Sequence, residues 1–80
     1  MSSNEKISVV LEFIGKECFE IRLALMKTMK DIQIGDIVKV MTDNPKSRTN
    51  ISKWCRMNSH ELFLSDTSGV INIYFIKRKY

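Results

Sequence analysis

Eighty residues suffice for one domain that buries roughly 60% of its unfolded surface, with no room for a second. A hydrophobic fraction of 44% beside a charged fraction of 28% excludes an intrinsically disordered chain, and no apolar run approaches the roughly 20 residues of a membrane span. Of the 13 basic residues three lie at 77–79, leaving ten against nine acidic ones, so most of the net charge of +4 sits at one end and the body lacks the basic stripe of a nucleic-acid binder. The domain is read as residues 1–80, with 1–5 an N-terminal extension and 77–80 a flexible basic tail. Met1 to Lys6 lack the apolar stretch of a signal peptide, so a soluble cytoplasmic protein is expected. Its two cysteines are expected as reduced thiols.

Ile7, Val9, Leu11 and Phe13 alternate with their neighbours at the period of a strand, and Gly15 interrupts the run. Ile21, Ala24, Leu25, Thr28, Met29 and Ile32 then recur at spacings of three and one, the stripe of a helix from Cys18 or Phe19 to Asp31. Cys18 therefore stands at the first helical turn, where free N–H groups and the helix dipole favour a thiolate. Leu23 and Met26 fall off the stripe, either as ordinary surface residues or as a docking patch beside Cys18.

Asp36 to Thr42 is β-branched and apolar enough to be interior to a sheet. A strand, a helix and a second strand make a βαβ unit with parallel strands. Asp43-Asn44-Pro45 turns the chain, and Asn50 is placed as the N-cap of a second helix reaching about Ser59. On it Ile51, Trp54, Cys55 and Asn58 share a face, which makes Cys55 a buried small hydrophobe. His60 to Ser65 and Val70 to Ile76 form an antiparallel hairpin through Asp66-Thr67-Ser68-Gly69. The predicted fold is α+β: a βαβαββ two-layer sandwich whose mixed four-stranded sheet carries both helices on one face.

Three stretches resemble the TusA/SirA-like small sulfur carrier family: Leu11 to Cys18, then Asp43-Asn44-Pro45 with Asn50-Ile51, and Trp54-Cys55 through His60-Glu61-Leu62. The resemblance implies the same sandwich and assigns to Cys18 a sulfur carried as a persulfide. It implies a cysteine desulfurase, or a rhodanese-type or DsrE-type sulfurtransferase, as donor or acceptor, in tRNA thiolation or in sulfur oxidation. No cofactor, metal or membrane enters, and nucleic acid is not the expected direct partner. The family hallmark Cys-Pro-x-Pro is here Cys18-Phe19-Glu20-Ile21, without either proline, and a proline at the first helical position would stiffen the turn.

Gly15, Lys16, Glu17, Phe19 and Glu20 make up the expected surroundings of the Cys18 thiol, with Arg22, Leu23 and Met26 as partner contacts. The carboxylates of Glu17 and Glu20 oppose a thiolate and Lys16 favours it. A non-catalytic interaction module of the same fold is the alternative reading, with an RNA-binding module behind it. A metal site from Cys18, Cys55 and His60 lacks a close-spaced ligand pair, and His60, the one histidine, is assigned a structural hydrogen bond.

Overall fold

The computed structural model describes residues 7–79; the expected N-terminal extension and Tyr80 lie outside the described residues. In chain order the elements are β1 (Ile7–Phe13), α1 (Cys18–Asp31), β2 (Ile37–Thr42), α2 (Ser47–Met57), β3 (Glu61–Asp66) and β4 (Asn72–Lys77). The sheet runs β1-β2-β4-β3. β1 and β2 are parallel, whereas β4 is antiparallel to both β2 and β3. This is the predicted βαβαββ sandwich with a mixed sheet.

Both helices pack on the same sheet face. Ile21, Leu25 and Met29 of α1 and Ile51, Trp54 and Cys55 of α2 share one core with Val38, Val40, Tyr74 and Ile76. Burying side chains such as Ile21 and Leu25, 1% and 0% exposed, stabilises the fold by roughly 1.5–3 kcal/mol each. The pleat turns Ile73 and Phe75 to the opposite face, where the Phe75 ring lies 6.1 Å from that of Phe63 and beneath the Lys39 ammonium.

The second helix starts earlier than predicted, at Ser47, and Asn50 lies inside it. The residue that starts it is Asn44, whose side-chain oxygen accepts from the Lys46 N–H at 2.8 Å while its carbonyl accepts from the Ser47 N–H. This Asx turn, with Pro45 inside it, rolls directly into α2. The helix also ends sooner, at Met57, because Ser59 turns left-handed (φ 60°). His60 N–H then donates to the Cys55 carbonyl and Ser59 N–H to that of Arg56, the paired bonds of a Schellman cap.

The last strand begins at Asn72, two residues later than predicted. Asp66 accepts from both the N–H and the hydroxyl of Ser68, which starts the turn, and Val70 is left 83% exposed in it. At the other end, residues 77–79 of the expected flexible basic tail are hydrogen-bonded to the rest of the protein. Lys77 is the last residue of β4, opposite Ile37 and Glu61. Arg78 exchanges backbone bonds with Gly35 and Asp36 and its guanidinium donates to the Ile32 carbonyl. The Lys79 N–H donates to His60 Nδ1 and its ammonium pairs with Glu61 at 3.6 Å. Charge alone marks these residues as solvated; their backbone groups bond to β2, to the loop before it and to His60.

Candidate functional site

Parallel neighbours end on the same side of a sheet, so Phe13 and Thr42 pair at the carboxyl ends of β1 and β2. The buried Thr42 hydroxyl donates to the Phe13 carbonyl and accepts from the Asn44 N–H. The loops leaving the two strands are thereby held side by side.

The loop from β1 makes a turn in which the Lys16 N–H donates to the Phe13 carbonyl. Gly15 takes φ +75° there, a conformation that a side chain would strain. Two bonds clamp this turn to the neighbouring loop: the Gly15 N–H donates to Asp43 Oδ1 at 2.9 Å, and Asn44 Nδ2 to the Lys16 carbonyl at 3.2 Å. The turn delivers Glu17 in an extended conformation as the N-cap of α1. Glu20 Oε2 accepts from the Glu17 N–H at 2.9 Å, so this carboxylate is engaged by the helix start.

Cys18 follows as the first residue of α1, half-buried and with a free thiol. Its Sγ accepts from Asn50 Nδ2 at 3.1 Å. It lies in the groove between the helices, beside Ile21, Arg22, Leu25 and Ile51. A thiol in this position is partly exposed and has a hydrogen-bond donor beside it.

Phe19, Leu23 and Met26 are exposed by 54%, 60% and 46%. With Arg22 of α1, and Trp54 and Asn58 from α2 and its C-terminal end, they line a depression between the two helices. The predicted residues around Cys18 are thus split between two surfaces: Gly15, Lys16, Glu17 and Glu20 build the turn below the sulfur, whereas Phe19 belongs to the apolar depression.

Residues 9–78 match the model of the family described as Sulfurtransferase TusA. The chain belongs to the TusA sulfur carrier family. It is 30% identical over 76 residues to the sulfur carrier protein TusA of Pseudomonas savastanoi pv. phaseolicola (strain 1448A / Race 6), a match covering 95% of this chain and 90% of that relative. In this TusA-family chain the helix-start cysteine is followed by Phe19-Glu20-Ile21, and the bonds from Asp43, Asn44 and Asn50 hold the turn that has no proline.

The second cysteine is a core residue. Cys55 is 2% exposed, and burial pushes its thiol up to about 12, so it is held as the neutral, unreactive form. His60 stacks near Trp54, ring centroids 5.6 Å apart, and accepts from Lys79 through Nδ1. Desolvation, and then the Arg78 charge, lower its pKa below the usual imidazole range. Among the described residues no three His, Cys, Asp or Glu side chains are grouped as a metal site requires.

Asp43 and Asn50 escaped the sequence reading as site residues. They stand 28 and 32 positions from the groups they touch, and no local periodicity reports such a separation. The one available signal is the turn-forming Asp43-Asn44-Pro45, which marks where a loop must be but not what it faces.

Proposed function

We propose that Cys18 carries sulfur as a persulfide between protein partners. The Cys18 thiolate attacks the terminal sulfur of a donor persulfide; a new Sγ–S bond forms, the donor's S–S bond breaks, and the donor leaves as a thiolate. Delivery is the same exchange in reverse order: an acceptor thiolate takes the terminal sulfur and Cys18 is released as thiolate. Neither step has a net redox change, so no further oxidant or reductant is involved. The observation that carries this reading is the half-buried free thiol at the first position of α1 in a chain of the TusA family.

The donor and acceptor classes follow from the resemblance: a cysteine desulfurase, or a rhodanese-type or DsrE-type sulfurtransferase. Such partners bring their own reactive cysteine and must dock within reach of Cys18. The exposed Phe19, Leu23 and Met26 offer an apolar contact beside the sulfur, and Arg22 adds a positive charge in the groove. These assignments make the protein a carrier that works with sulfurtransferases and not a turnover enzyme alone.

Incubation with a small-molecule persulfide, followed by intact-mass spectrometry, tests the carriage. One added sulfur atom is expected, mapped to Cys18, reversed by dithiothreitol and absent from Cys18→Ser. An equal adduct on Cys18→Ser, or none on the wild type, rejects it and favours the interaction-module reading.

A further inference from the structure

We propose that Asn50 is a positioning residue for the Cys18 sulfur: its side-chain amide holds Sγ in the groove between the helices and favours the anionic form. The proposal rests on the reading of Cys18 as the carrier thiol. It names the part of this chain that governs how readily that thiol loads and unloads.

The orientation of the amide is decided without reference to sulfur. Asn50 Nδ2 donates to the Lys46 carbonyl at 2.9 Å, an acceptor that only the NH2 end of the amide can satisfy. With one hydrogen so engaged, the other meets Cys18 Sγ at 3.1 Å. The amide therefore presents a donor, not its oxygen, to the thiol. It does so from the first turn of α2, an element itself anchored by the Ser47–Tyr74 bond, so the donor is held by the fold and not by the loop that carries the cysteine.

A donated hydrogen bond is stronger to an anion than to a neutral group. In the resting protein this favours the thiolate that attacks a donor persulfide. The larger consequence falls on delivery. When an acceptor takes the terminal sulfur, Sγ departs as a thiolate, and a leaving group stabilised as the anion departs faster. Asn50 thus assists the step that unloads the carrier.

Three variants test this: Asn50→Leu, which deletes the donor; Asn50→Asp, which keeps the shape, suits the first turn of a helix and turns a carboxylate toward the sulfur; and Cys18→Ser as the blank. The rate of alkylation by iodoacetamide is followed against pH. The rate at neutral pH is expected to fall about three- to tenfold in Asn50→Leu and further in Asn50→Asp. With the protein first loaded to the persulfide, sulfur release to dithiothreitol at fixed pH is expected to slow about three- to tenfold in Asn50→Leu.

An alkylation rate at neutral pH and a release rate both unchanged in folded Asn50→Leu overturn the proposal. Should the variants fail to fold, the wild type still decides: the Asn50 side-chain amide resonances move with Cys18 ionisation if the contact operates, and their indifference to it rejects the role. Because alkylation needs no sulfur, a wild type that alkylates but takes up none rejects carriage alone.

Discussion

Ser47 Oγ and Tyr74 Oη lie 2.8 Å apart, both fully buried, and join the first turn of α2 to the middle of β4. Asn72 Nδ2 adds a bond to the same Ser47 oxygen at 3.3 Å. Tyr74→Phe removes one partner and leaves a hydroxyl in the core with a weaker set of contacts. The expected loss is about 1–2 kcal/mol, a fall in Tm of roughly 4–8 °C per kcal/mol for a domain of this size. Thermal unfolding by circular dichroism reads it, and a change below 2 °C on a scale of about 4–8 °C per kcal/mol would mean that the bond does not secure the helix.

The two thiols are expected to separate by accessibility. Native protein at neutral pH should take up one equivalent of an alkylating reagent, at Cys18, and Cys55→Ala should label as the wild type does. Mass mapping that finds Cys55 modified at a comparable rate contradicts its place in the core.

Burial of Cys55 also has a signed effect on stability. Its folded pKa of about 12 lies above its ordinary value of 9.0, so above pH 9 the unfolded chain binds fewer protons than the native one. Stability is full below that pH and falls as pH rises from 9 toward 12, by up to about 1.4 kcal/mol per unit. Urea unfolding of the wild type and Cys55→Ala at several alkaline pH values isolates this slope: the variant starts lower, having lost packing, and declines less steeply.

His60 acts at the other end of the scale. Its folded pKa is lowered, so its contribution is present above the unfolded value and is lost as pH falls through it, when the unfolded chain takes up a proton that the native imidazole resists. Acidification from neutrality is expected to weaken the wild type more than His60→Gln. Nuclear magnetic resonance of the imidazole should place its midpoint below 6.5, the ordinary imidazole value; a midpoint above it would show that the ring accepts its charge in place.

Docking and chemistry are expected to come apart on α1. Leu23→Asp and Met26→Glu alter exposed side chains and should change stability by no more than about 0.5 kcal/mol. Loading from a small-molecule persulfide should match the wild type, whereas loading from a persulfidated sulfurtransferase should drop about tenfold or more. Equal losses with both donors would move these residues from the docking surface into the chemistry of the thiol.

Much of this architecture is carried by short-range pattern. The alternation from Ile7 to Phe13 and the stripe from Ile21 to Ile32 are local consequences of side-chain period, and they suffice to put Cys18 at a helix start. Boundaries slipped where the chain had competing turn groups within a few residues: the Asn44 turn started α2 with Lys46, not Asn50, at its N-cap, and Ser59 ended α2 in the left-handed conformation. The chain past Ile76 slipped for a different reason, since three successive basic residues look solvated until a strand is found beside them.

What the amino-acid order determined unaided was the set of elements, their sequence and a cysteine at the head of α1, because each depends on contacts within a few residues. Only the tertiary structure decided what that cysteine faces. The strand order β1-β2-β4-β3 brings the ends of β1 and β2 together and, with them, the loops and the helix that supply Asp43, Asn44 and Asn50. Those bonds span 28 to 32 residues, and a contact at that separation exists only once the sheet has closed the distance.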